Sequence, residues 1–243
     1  HILASTVPNL RSYDPAFGFE IVALVREGMH QMYELQEDVF YYLTLYNENY
    51  PMPSLVEIAE QTQVDEGEVL QGVIDGGYCF YRGSDRTECS VHILASGSIM
   101  QQALLARDAL EDLGVGVCIW SITSFVELQR DALACQQHNR DNPQAEARVS
   151  RLERMFQGET GVFIAVTDYM AALAQGVAAW MPPNFEVLGT DGYGLSESRT
   201  RLREHFSVDA MAVAEGALSA LYRHGLLDQS RFESAMHGVR GSK

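Results

Sequence analysis

Basic residues are scarce. Seventeen Lys and Arg stand against 33 Asp and Glu in 243 residues, giving a formal net charge of -16 and a pI near 4.7. A surface for duplex nucleic acid needs clustered cations to neutralise phosphates, so no nucleic-acid partner is expected. The excess of acid reads instead as a solvated surface that aids solubility. Long apolar runs are absent: no stretch approaches the roughly 18 residues that cross a membrane as a helix, and no membrane partner is expected. The opening residues HILASTVPNL have neither the basic start nor the apolar core of a signal peptide, and no initiator Met, so His1 does not read as a natural start. Cysteine is sparse too. Cys79, Cys89, Cys118 and Cys135 include no C-x-x-C pair and have no His at metal-finger spacing, so no metal site is expected. Read as four free thiols, they predict a reducing compartment, the cytoplasm.

What is present is an ordinary globular composition, 47% apolar and 21% charged, long enough to bury a substantial core. In SYDPAFGFEIVALVREGMHQMYELQ, Asp14 before Pro15 reads as an N-cap and first-turn pair, and Ile21, Leu24, Val25, Gly28 and Met32 form one apolar helical face. The run Val39 to Tyr46 is rich in β-branched and aromatic residues and predicts a buried strand, ended by NENYPMP. Residues 51–80 mix acids and polar residues and read as a crossover between two domains, with one short helix in it. From about Cys89, strands and helices alternate. SVHILAS, VGVCIWSI, VFIAVTD and FEVLGT read as strands; the helices between them run through IMQQALLARDALEDLG, SFVELQRDALACQQHN, RVSRLERMFQ and YMAALAQGVAAWM. Two more helices follow, SESRTRLREHF and VDAMAVAEGALSALYRHG, the second closed by Gly225. This order predicts an α/β layer with a mainly parallel sheet flanked by helices. Ala210, Ala214 and Ala217 form a small-residue stripe that permits close approach, either between copies of the chain or inside one domain.

Several predicted strands end in small polar residues: Ser96 and Ser98, Ser121 to Ser124, Thr167 and Asp168, Thr190 and Asp191. In open parallel sheets ligands gather at that edge, beside helix N-termini with free amides. Helix capping accounts for the same residue types. If the edge is functional, Ser98, Thr123, Asp168 and Asp191 should line one shallow groove. Two carboxylates there disfavour phosphate, so the expected role is an interface accepting amide, hydroxyl or Arg donors. LGTDGYG is no dinucleotide fingerprint, because the third Gly would fall at Glu197. The histidines show no oriented partner, and neither G-x-S-x-G nor H-E-x-x-H occurs, so no catalytic residue is assigned within the chain.

A series of phrases, in order, carries a family resemblance: VPNLRSYDPAFGFE, VFYYLTLYNENYPMP, ILASGSI, WSITSFVELQRD, VTDYMAALA, VLGTDGYGLSESR and LREHFSVDA. Together they resemble the C-terminal third of the homodimeric pyruvate dehydrogenase decarboxylating component, a thiamine-diphosphate-dependent enzyme of the transketolase-like superfamily. The resemblance implies that residues 1–50 end a pyrimidine-binding domain. It makes 51–80 an interdomain crossover and 81–243 a transketolase C-terminal-like domain that helps to build a homodimer. It implies an oxidoreductase that decarboxylates pyruvate on thiamine diphosphate and magnesium and passes the acyl group to a lipoyl acyltransferase. The metal pattern of such enzymes, G-D-G followed by Asn, is not met: residue 190 is Thr, and no Asn follows Asp191. No cofactor-binding residue is therefore expected in this segment, which alone should be inactive. Leu195 stands where the family has Arg, His138 where it has Trp, and Asn142-Pro143 where it has His-Pro, while 53–72 is longer than the family's link. These departures admit another 2-oxo acid, such as 2-oxobutyrate. The competing reading is a stand-alone dimerisation or ligand-binding module descended from that enzyme.

Overall fold

Three runs, Val91–Ala95, Val117–Ser121 and Val162–Val166, are buried at every position, so the sheet they build must be covered on both faces. The computed structural model describes residues 1–83 and 90–241. The first segment runs α1 (Ile2–Ser5), β1 (Leu10–Tyr13), α2 (Gly18–Met29), a π-helical turn (His30–Glu34) and β2 (Phe40–Leu43). Strands β1 and β2 pair in parallel as a separate two-stranded sheet. Helices α3 (Leu55–Thr62) and α4 (Glu66–Asp75) and strand β3 (Tyr78–Arg82) follow. Then come β4 (Val91–Ala95), a 3-10 turn at Gly97–Ile99, α5 (Met100–Glu111), β5 (Val117–Ser121), α6 (Phe125–Asp141), α7 (Arg151–Met155) and β6 (Val162–Val166). The chain closes with α8 (Ala171–Gln175), β7 (Phe185–Leu188), α9 (Arg199–His205), α10 (Ala210–Arg223) and α11 (Gln229–Gly241).

The main sheet has the order β3-β5-β4-β6-β7. Strand β3 is antiparallel at one edge and the other pairings are parallel. Strand periodicity divides the core in two. Val91, Ile93, Ala95, Val117, Ile119, Ile164 and Val166 point to a face covered by α5 and α10, with buried residues of α2 to α4 completing it. Leu94, Trp120, Phe163 and Ala165 point to the opposite face, under α6, α7 and α8.

The α/β class and the mainly parallel sheet agree with the sequence reading; several local expectations do not. Asp14 caps no helix. Helix α2 begins at Gly18, and the two amides just before it are met by Glu20, whose carboxylate accepts from Ala16 N and Phe17 N. The expected buried strand at 39–46 is four residues long, and Phe40 and Tyr42 on it are exposed. Residues 51–80 hold two capped helices rather than one. Ser54 accepts from Glu57 N and Asp65 from Gly67 N, and Ile58, Val69 and Val73 are buried in the sheet's core. The helix expected through Trp180 breaks after Gln175, where Gln129 Nε2 takes the Gly176 carbonyl. Helix α11 was not anticipated. Ala214 and Ala217 are fully buried within the domain, so that part of the stripe is spent on internal packing. Cys118 is disulfide-bonded, which removes the premise of four free thiols; Cys79 and Cys135 are free, and Cys89 lies outside the described residues.

One buried polar group in the sheet has a legible protonation state. His92 is fully buried, stacked on Phe163 at 4.5 Å between ring centroids. Its Nε2 lies 3.0 Å from the Thr160 carbonyl, which can only accept, and its Nδ1 accepts from Trp120 Nε1 at 3.2 Å. The ring is therefore the neutral Nε2–H tautomer. Burial pushes its pKa below the ordinary value, outweighing the nearby Glu159 carboxylate, itself paired with Arg82. Since the folded value is depressed, the unfolded chain binds the extra proton first. The stabilisation is then complete above about pH 6.5 and is lost as pH falls from there toward the depressed folded value. Urea unfolding of wild type and His92→Gln should show a stability difference that shrinks between pH 8 and pH 5.5; a difference independent of pH would refute the assignment.

Candidate functional site

At the carboxyl edge of the main sheet, the first segment plugs in through two buried acids. Asp14 leaves β1 with its amide donating to the Thr123 carbonyl at 2.7 Å, and its own carbonyl accepts from Gly97 N at 3.0 Å. Its carboxylate accepts from Thr44 Oγ1 at 2.5 Å, Tyr46 OH at 2.7 Å and Ser96 Oγ at 2.7 Å, with Tyr169 OH at 3.4 Å. Tyr46 and Tyr169 also bond to each other at 2.9 Å. Glu20, with no exposed surface, accepts from Ala16 N at 2.5 Å, Phe17 N at 3.0 Å, Tyr78 OH at 2.7 Å and Ser121 Oγ at 2.6 Å. Burial raises both carboxyls above the usual range, while their hydroxyl and amide donors pull the other way. The same acids and burial drive Tyr46 and Tyr78 well above the ordinary phenol, and Tyr169 is pushed up to about 12. These phenols therefore stay protonated and remain donors.

Local sequence makes this approach possible. Gly97 has φ +50, and a Cβ there would lie 2.6 Å from the Tyr46 ring and 2.8 Å from Asp14 Oδ2. A third acid, Glu127 of α6, is held by Arg11 of β1 at 2.5 Å and by Arg130 at 2.8 Å. Arg130 Nη2 also donates to the Ser5 and Val7 carbonyls, tying α6 to the first segment.

The four residues expected to share a groove do not all meet. Ser98 and Asp168 do: Ser98 Oγ donates to Asp168 at 3.2 Å, and Arg203 of α9 donates to both, at 2.9 and 3.2 Å, while pairing with Glu48. They border a cavity of about 330 Å³ with Tyr46, Thr190 and Arg199. Thr123 is fully buried elsewhere and donates to the Val73 carbonyl, fixing α4 rather than facing solvent. Asp191 accepts from Ala171 N and so holds the start of α8. Thr123 leaves the expected groove because neighbouring side chains at a strand end turn to opposite faces, and Asp191, in the loop after β7, is engaged by the start of α8. Sequence reasoning missed Glu20, Arg203 and the role of Asp14. Glu20, an acid between Phe19 and Ile21 on an apolar stretch, was the available signal.

This edge does not fit a diphosphate with magnesium. The amide of Gly97, where such an anion would seek a donor, is given to Asp14, and the nearby cations Arg199 and Arg203 are already paired with Glu48 and Asp168.

Comparisons with known proteins bear on the same elements. The model of the transketolase-like TK C-terminal domain matches residues 76–209, and that of the pyruvate dehydrogenase E1 component middle domain matches residues 1–53. The chain is 40% identical over 227 residues to the pyruvate dehydrogenase E1 component of Pseudomonas aeruginosa, covering 93% of this chain and 25% of that protein. It is 39% identical over 232 residues to that of Escherichia coli, covering 94% and 25%. It thus spans about a quarter of the length of these relatives. In fold it is similar to transketolase from Leishmania mexicana, with a TM-score of 0.61 at 18% identity over 91% of this chain and 27% of that one.

Two substitutions separate a junction from simple caps. Asp14→Asn should lower unfolding stability by about 2–3 kcal/mol, since an amide accepts fewer of the hydroxyl donors. Asp191→Asn should change it by under about 0.5 kcal/mol, because the amide oxygen of Asn can accept the single Ala171 N–H as the carboxylate does. Chemical denaturation followed by circular dichroism reads both; equal effects would overturn the distinction.

Proposed function

Because the chain belongs to the transketolase-like TK C-terminal domain family, we propose that it is the assembly portion of a thiamine-diphosphate-dependent pyruvate dehydrogenase E1 component. In this reading it joins the end of the middle domain to the C-terminal domain and shapes the homodimer. The complete enzyme decarboxylates pyruvate, or a close 2-oxo acid, and hands the acyl group to a lipoyl acyltransferase. Thiamine diphosphate and magnesium are held by residues outside these 243. The observation that carries the reading is the pair of buried carboxylates. Asp14 and Glu20 lie in the part that matches the middle domain, and their hydroxyl donors Ser96, Ser121 and Tyr78 lie in the part that matches the C-terminal domain. A joint this deeply buried transmits position between the two parts as a rigid element.

Self-association rests on different residues from the alanine stripe. Val22, Val25, Met29 and Tyr33 on α2 and the π turn, with Phe40 and Tyr42 on β2, are exposed on the first segment. Large apolar side chains left exposed on one segment favour coverage by another chain.

The test is made on the complete protein that carries this chain. Supplied with thiamine diphosphate and magnesium, it should release carbon dioxide from pyruvate and acylate a lipoyl domain, and it should sediment as a dimer. Asp14→Asn should reduce turnover without altering the apparent affinity for the coenzyme. Failure to decarboxylate any short 2-oxo acid would overturn the reading.

A further inference from the structure

A second cavity, of about 380 Å³, lies between β1, the end of α4, α6 and α7, beside the Arg11–Glu127 pair. Its cations are Arg11, Arg130, Arg151 and Arg154, and its acids are Asp75, Glu127 and Asp131. In a chain of net charge -16, a cavity with four guanidinium groups and three carboxylates runs against the charge of the whole.

Unused donors outnumber unused acceptors, although Asp75 and Asp131 also keep acceptor capacity to spare. Both Glu127 oxygens are taken, by Arg11 and Arg130. Asp131 Oδ2 accepts from Arg151 N at 2.5 Å, and Asp75 Oδ1 accepts from Gln71 Nε2 at 2.8 Å. The guanidinium groups, with five N–H donors each, are under-used apart from Arg130. Among the described residues Arg11 donates only through Nη1, to Glu127, and Arg154 only through Nη1, to the Val149 carbonyl. Arg151 donates through Nη2 to the Gly77 carbonyl, its Nη1 lies 3.9 Å from Asp75 Oδ2, and its Nε is buried with no hydrogen-bond partner.

We propose that this cavity binds a small phosphate-bearing anion. Three guanidinium groups with spare donors, from β1 and α7, face one space. A phosphate offers an oxygen to each fork, whereas a carboxylate has only two oxygens to share among three. Tyr13 and the end of α4 complete the wall, so a bound anion would also brace the first segment against α4, α6 and α7.

Titration calorimetry on the full chain in low-salt chloride buffer, with inorganic phosphate and with pyrophosphate, tests the site without magnesium. Pyrophosphate should bind with a dissociation constant below about 1 mM and weaken as salt rises. Arg11→Gln with Arg154→Gln should weaken it at least about tenfold. Both side chains lie partly in solvent, so circular dichroism of the double variant should match wild type. Arg240→Gln, at a distant ion pair with Glu215, should leave binding unchanged. No binding up to about 10 mM, equal weakening by Arg240→Gln, or tighter binding of malonate than of pyrophosphate would each overturn the proposal.

Discussion

Two carboxylates buried without a cation set the terms for the rest of this structure. Taking an ionisable acid out of water costs several kcal/mol unless its oxygens are fully hydrogen-bonded. Asp14 and Glu20 meet that condition with hydroxyls and backbone amides alone. The requirement propagates into the sequence. Ser96 and Ser121 must end their strands in hydroxyls, Tyr46 and Tyr78 must stay phenols, and Gly97 must lack a side chain for Asp14 to come near. Alanine at Ser96 or Ser121 would leave a carboxylate oxygen short of a donor, a larger loss than the bond itself contributes.

That arrangement redirects an edge that α/β sheets commonly use for ligands. Here the space beyond β4 and β5 is filled by the chain's own first segment, and the free amide at Gly97 is spent on Asp14. The buried polar groups of this edge are committed to joining two parts of one polypeptide, and the cavity that remains beside Ser98 and Asp168 is closed off by Arg203. The matches to a middle-domain family and a C-terminal-domain family divide the chain near the same junction.

The class of fold was legible because it depends on periodicity and burial. Val91–Ala95 and Val162–Val166 announce doubly covered strands by composition alone, and Ser124 announces α6 as an N-cap. What failed were inferences where a tertiary partner overrides a local pattern. Asp14-Pro15 has the form of a helix start, but three hydroxyls from distant segments hold the carboxylate more firmly than a helix amide would. Thr123 shares an edge with Ser98, but its side chain turns to α4, and no sequence signal reports which side of a strand a packing helix will choose. The alanines of α10 announced a close contact without saying with what; the answer is the domain's own core.

The distribution of cations follows from the same allocation. Neutral donors serve Asp14 and Glu20, and the few basic residues are left for places where one side chain must join several elements. Sixteen of the seventeen are Arg, and the single Lys is the last residue. A planar fork suits that task better than a point charge. Arg203 reaches Ser98, Asp168 and Glu48 together, and Arg130 reaches Glu127 and the carbonyls of Ser5, Val7 and Leu10. An ammonium group has three donors about one nitrogen and could not span such separated acceptors. A Lys at either position would keep the charge while releasing the first segment from α6, or α9 from the ends of β4 and β6.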